Sequence, residues 1–98
     1  MQIPKKLQST LWSVNVNNLD LEKDKTYIIH QIFSYGSLEE IKWVMNSYSK
    51  TEIKDVFTQP YKDYKRSRFY FIKDALLQLS NWLPDERYYV KNTSRIIG

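Results

Sequence analysis

Few side chains in this sequence could carry out catalysis. His30 is the single histidine, cysteine is absent and glycine occurs twice. Metal sites and catalytic triads need several such groups at defined spacing, and phosphate-binding loops need several glycines. The adjacent acids at 39–40 and 85–86 point to different sides and make poor acid–base pairs. The sequence therefore predicts a protein without enzymatic activity, cofactor or metal, with His30 on the solvated side of its helix.

The segment YKDYKRSRFYF, residues 61–71, combines four basic side chains with five aromatic rings. Basic side chains neutralise phosphates, whereas Arg and Tyr are also enriched at protein interfaces. The net charge of +4 arises in the second half of the chain. Composition leaves a protein partner and DNA both open. The residues predicted to make the contacts are Trp43, Lys50, Lys54, Lys62, Tyr64, Lys65, Arg66 and Arg68.

Local signals predict three successive helices that would position these residues. Asp20 can cap a helix that begins near Leu21, and Gly36 is predicted to end it in a left-handed conformation. Two Ser-x-x-Glu capping boxes follow, at 37–40 and 49–52, so two further helices are expected. The second helix should bury a stripe and leave Trp43 off it, and the third should end near Pro60. The predicted stripe comprises Ile41, Val44, Met45 and Tyr48.

Two more elements flank these helices. Pro4 can open a short N-terminal helix, which Trp12 should close onto the core. Ser67 can cap a fourth helix that runs to about Leu83, before Pro84. Because the basic cluster lies at the start of that helix, where positive charge opposes the helix dipole, it suggests an acidic partner. The side chains predicted on the buried face of the fourth helix are Phe69, Ile72, Leu76 and Leu79.

Together these elements predict a mainly α fold, a compact bundle of four to five short helices. The 98 residues are enough for one hydrophobic core. We expect a single helical domain over residues 1–83 and an irregular C-terminal tail over 84–98, within which residues 88–91 could pair as a short strand. Without a signal segment or a membrane-length apolar run, the expected location is cytoplasmic, away from membranes.

A resemblance covers residues 11–57, which carry "LDLEKDK", "YII", "YG" and "EEIKWV". The run resembles a family of small, poorly characterised bacterial helical proteins often encoded beside abortive-infection-type nucleotidyltransferase toxins. The resemblance implies an antitoxin that masks the toxin or a regulator that represses its operon, so the expected partner is the toxin, DNA or both. A homodimer is left open. Asn15 and Asn17 stand where members more often carry Asp. The alternative is a phage or mobile-element inhibitor or adaptor that binds protein and no nucleic acid.

Overall fold

Four helices form the body of the protein, and the computed structural model describes residues 3–61 and 64–91. The helices are α1 (Lys25–Tyr35), α2 (Leu38–Ser47), α3 (Lys50–Phe57) and α4 (Arg66–Tyr70). Helix α4 continues without a break as a π-helix, Phe71–Leu76, and three short 3-10 turns lie at Lys5–Ser9, Val16–Asn18 and Glu86–Tyr88. The predicted mainly α bundle is confirmed. No helix in the described ranges is both long and apolar enough to cross a membrane.

Both capping boxes form as predicted. The Ser37 side chain accepts a hydrogen bond from the Glu40 backbone N–H at 3.2 Å, and Glu40 accepts from the Ser37 N–H at 3.0 Å. Ser49 and Glu52 repeat this exchange at 3.1 Å in both directions. Such exchanges satisfy backbone donors that a helix start leaves unpaired. They fix the starts of α2 and α3 with almost no connecting loop.

The start of α1 differs from the prediction by one turn. The Asp20 carboxylate accepts from the Glu22 and Lys23 N–H groups at 2.8 and 2.9 Å, so it closes a turn ahead of the helix. Asp24 returns the contact by accepting from the Asp20 N–H at 2.8 Å. Helix α1 begins after Asp24, at Lys25. Asp20 therefore stabilises the turn that precedes α1, one turn before the position where a helix cap would lie.

Gly36 ends α1 for a different reason from the one predicted. Its φ of −78° and ψ of 165° are extended, so the predicted left-handed conformation is wrong. A Cβ at this position would lie 2.6 Å from the Ile32 carbonyl oxygen and 2.9 Å from the Ile32 Cγ2. Glycine is therefore required by close approach of the last turn of α1, since no heavier side chain fits without a shift.

Aromatic rings join the second half of the core. Phe69 stacks on Phe57 with ring centroids 5.2 Å apart and on Tyr89 at 5.2 Å. Trp82 closes the cluster with an edge contact to Tyr89 at 5.3 Å. The burial of Phe69 that the sequence predicted is confirmed. These contacts bring α3, α4 and the C-terminal segment into one core.

Part of the predicted tail, residues 84–91, packs against that core. Tyr89 and Val90 are buried. The Tyr64 N–H donates to the Tyr89 carbonyl at 3.1 Å, and the Lys91 N–H donates to the Tyr64 carbonyl at 2.9 Å. Within the described chain, the expected strand at 88–91 is reduced to a single parallel bridge between Tyr64 and Val90. Residues 92–98 lie outside the described residues.

The two flanking elements also depart from the sequence pattern. The N-terminal element is a 3-10 turn that buries Leu7, while Trp12 remains 57% exposed instead of closing onto the core. Helix α4 follows Lys65 without a side-chain cap, so Ser67 does not cap it. The regular helix ends at Leu76, well before the predicted end near Leu83.

Candidate functional site

Arg68, one of the predicted partner contacts, is used inside the fold. Its guanidinium Nη1 donates to the Phe33 carbonyl at 2.8 Å and to the Gly36 carbonyl at 3.1 Å. These oxygens belong to the C-terminal end of α1, where helix carbonyls lack helical partners and the dipole favours positive charge. Arg68 therefore fastens α4 to α1, which accounts for a basic residue near the start of α4 without any acidic partner.

Arg66 and Tyr70 hold the C-terminal segment to α4. Arg66 Nη2 lies 2.9 Å from Glu86 Oε1, and the Tyr70 hydroxyl donates to Glu86 Oε2 at 2.5 Å. The hydrogen bond from Tyr70, reinforced by Arg66, lowers the pKa of the Glu86 carboxyl, and the same bond raises the pKa of Tyr70 to about 12. The Arg66 side chain is more than half exposed, so it remains accessible despite this ion pair.

Tyr64 and His30 form a buried pair, which corrects two expectations. Tyr64 is fully buried and cannot contact a partner in this fold, and His30 is fully buried where a solvated position was predicted. The Tyr64 hydroxyl and His30 Nδ1 share a hydrogen bond of 2.8 Å. The imidazole also stacks on Tyr61, with ring centroids 4.1 Å apart and planes 5° from parallel. His30 therefore positions the connection from α3 to α4.

Burial keeps this imidazole neutral. Loss of solvent lowers the pKa of His30 to about 4, and a weaker interaction with the Val56 backbone opposes the shift. Nε2 is buried and makes no hydrogen bond with any described residue. Over the same ranges, no three His, Cys, Asp or Glu side chains come together in a way that could hold a metal ion.

The remaining predicted contacts do not form one cluster. Lys50 is exposed at the start of α3, and Lys54 is half-buried one turn later on the same helix. Lys65 is exposed ahead of α4 and has no ion-pair partner within the described ranges. Trp43 is half-buried against the core, and Lys62 lies outside the described residues. The open basic positions are thus spread over two elements.

An exposed aromatic feature that the sequence did not predict lies at the end of α1. Trp12 meets Tyr35 edge-on with ring centroids 5.1 Å apart, and Lys91 Nζ donates to the Tyr35 hydroxyl at 2.8 Å. We call Trp12, Tyr35 and Lys91 the Trp12 patch. Leu38, three residues after Tyr35, is also exposed. The signal for an exposed Trp12 was the polar, Asn-rich stretch that follows it, which supplies few apolar neighbours.

The comparison with protein families matches the part of the chain that carries Trp12. Residues 7–57 match DUF6922, a family of unknown function. The chain belongs to this family. No curated protein and no solved structure matches the chain. The DUF6922 region contains Trp12 and helices α1 to α3, and it ends before the basic–aromatic segment at 61–71.

Proposed function

We propose that this DUF6922 protein is a non-catalytic binding protein, the antitoxin of a toxin–antitoxin module, and that it binds its toxin directly. The observation that carries the proposal is Trp12, 57% exposed and held edge-on against Tyr35 within the family region. Tryptophan is enriched among the few residues that dominate protein interfaces, and a neighbouring ring that fixes the indole lowers the entropy lost on binding.

Charge supports a protein partner ahead of DNA. Arg68 donates to backbone carbonyls of α1 and Arg66 is paired with Glu86. Arg66 is exposed, but its charge is already balanced by Glu86. Of the predicted basic contacts in the described ranges, Lys50, Lys54 and Lys65 are therefore left to neutralise phosphates. Tight DNA binding usually involves more phosphate contacts than three lysines provide. Repression of the toxin operon through DNA contacts of these lysines is therefore ranked second, after binding of the toxin.

A capture experiment tests the proposal. The tagged chain is incubated with lysate of its native host, with and without nuclease, beside Trp12→Ala and a Lys50, Lys54, Lys65→Ala variant. Leu83→Ala is the matched control, because Leu83 is 88% exposed and belongs neither to the Trp12 patch nor to the set of three lysines. We expect one nucleotidyltransferase-type protein to be recovered despite nuclease, with at least about tenfold loss in Trp12→Ala, as for an interface hot spot.

Growth then tests neutralisation. Co-expression of the wild-type chain or Leu83→Ala with the recovered protein should restore growth, and Trp12→Ala should fail to do so. Recovery of DNA alone, lost on nuclease treatment and in the triple lysine variant, would replace the proposal with a DNA-binding regulator. Recovery of a protein of another class would favour the inhibitor or adaptor alternative.

A further inference from the structure

The helix that begins at Arg66 changes its winding part-way along. Its first turn is α-helical, and Phe71–Leu76 is π-helical, ending with the Leu77 N–H donating to the Ile72 carbonyl five residues back at 2.9 Å. π-helical turns are rare, and they occur frequently at functional sites. The sequence gives no helix breaker between residues 66 and 83 that would force the change.

The sequence pattern fits a different register from the observed one. Apolar residues spaced by three and four predict an α-helix that buries Leu76. A π turn contains one residue more than an α turn, so each later residue takes the place that its predecessor would have had. In agreement, Leu77 is fully buried and Leu76 is only half-buried. The observed register therefore exchanges one leucine for the next in the core.

The observed register has two local costs. Lys73 is 4% exposed, and its ammonium group is held by Asp74 Oδ1 at 2.6 Å and the Leu79 carbonyl at 3.3 Å. Gln78 has a φ of 52°, the one positive φ of a non-glycine residue in the described ranges. Burying a charged amine and placing Gln in the left-handed region are both unfavourable. An α-helix that continued through residue 78 would bury Lys73 less and would not place Gln78 in the left-handed region.

Trp82 supplies the compensating contacts. Its ring lies 6.0 Å from Phe57, 6.1 Å from Phe69 and 5.3 Å from Tyr89, measured between centroids. In an uninterrupted α-helix Trp82 would lie roughly 140° around the axis from Phe69, because each residue advances about 100°. It could not then reach the same side of the core. Because the chain leaves the helix after Leu76, the contacts of Trp82 favour the π register with its early helix end, and the leucine spacing favours a longer α-helix.

We infer that this helix is a two-register element: a π register held by Trp82, and an α register in which Leu76 replaces Leu77 in the core. In the α register Leu77 turns to the surface and Lys73 moves to the edge of the buried face. A partner that offers apolar and acidic groups to these two side chains would select the α register. This inference does not depend on the proposed antitoxin role.

Single thiols can report the register, because the chain contains no cysteine. Leu77→Cys and Leu76→Cys are each combined with Gln78→Gly or with Gln78→Val. Glycine tolerates a positive φ and favours the π register, whereas a β-branched residue opposes it. The measurement is the rate at which an aromatic disulfide reagent modifies each thiol under native conditions. Position 78 is exposed, so neither change disturbs the core.

The two registers predict opposite changes at the two thiols. Gln78→Val should speed modification of the thiol at 77 severalfold and slow that at 76, and Gln78→Gly should do the reverse. Trp82→Ala should act like Gln78→Val, more strongly. If both thiols speed up or slow down together, the exposure comes from global unfolding and the inference is wrong. Rates at 76 and 77 that do not respond to residue 78 would also overturn it.

Discussion

At the level of single residues, the buried imidazole of His30 gives the protein a pH dependence. Burial lowers the pKa of His30 from 6.5 to about 4 in the folded chain. The unfolded chain therefore binds a proton more readily, and the free energy of unfolding falls as the pH drops through this window. Between pH 7 and pH 5 we expect a loss of about 2 kcal/mol, measurable by urea unfolding at a series of pH values.

His30→Gln is the control for this prediction. The amide can still hydrogen-bond the Tyr64 hydroxyl, but it does not titrate. The carboxyls of Asp20, Glu52, Asp85 and Glu86 have lowered pKa values, so the stability that they contribute is lost only below about pH 4.5. The variant should be insensitive to pH between 7 and 5. A flat wild-type profile in that range would contradict the buried neutral imidazole.

Arg68 and Lys65 separate structural from accessible basic residues. Arg68→Met removes a charged donor from two carbonyls at the end of α1, which should cost about 1.5–3 kcal/mol of stability. Lys65→Met alters an exposed side chain and should change stability by less than about 0.5 kcal/mol. Chemical denaturation measures both. Equal, small effects would mean that Arg68 is available to a partner after all.

At the level of elements, Ser49 and Ser67 test the same residue type in two settings. Ser49→Ala removes the cap of α3 and should cost about 1 kcal/mol. Ser67→Ala changes an exposed residue of α4 that caps nothing, so it should be close to neutral. Thermal unfolding of the two variants makes the comparison. A larger effect at Ser67 would show that α4 starts where the sequence alone predicted.

The elements that the sequence predicted well are those whose signals are local. Each capping box is closed by two side chains three residues apart, so the starts of α2 and α3 could be predicted from the local sequence alone. The π turn at Phe71–Leu76 has no such local signal, and in our inference it depends on contacts of Trp82 with Phe57 and Tyr89, which come from different segments. For the same reason the candidate site was only partly predictable. Arg68 and Tyr64 have structural roles because they contact the end of α1 and His30 of α1. Sequence spacing cannot predict that α1 lies beside them.

At the level of the whole molecule, large aromatic side chains supply much of the buried apolar area. A small chain without disulfides has few other ways to stabilise its fold. Phe57, Phe69 and Tyr89 form a continuous stack, and the Tyr64 ring meets Phe57 edge-on at 5.5 Å. Each ring buries a large apolar area, which matters where the core is small. The 15% aromatic content is therefore explained mainly by the core, and among the described residues Trp12, Phe71 and Tyr88 are the exposed aromatic side chains.

The C-terminal segment is consequently part of the fold, and truncation measures its contribution. A chain that ends at Leu83 lacks Tyr89, Val90 and the backbone bonds to Tyr64, so we expect it to lose cooperative unfolding at room temperature. A chain that ends at Lys91 retains all of these contacts and is the matched control. Near-ultraviolet circular dichroism and a thermal melt distinguish the two. If the shorter chain melts as cooperatively as the longer one, residues 84–91 pack on a core that is complete without them.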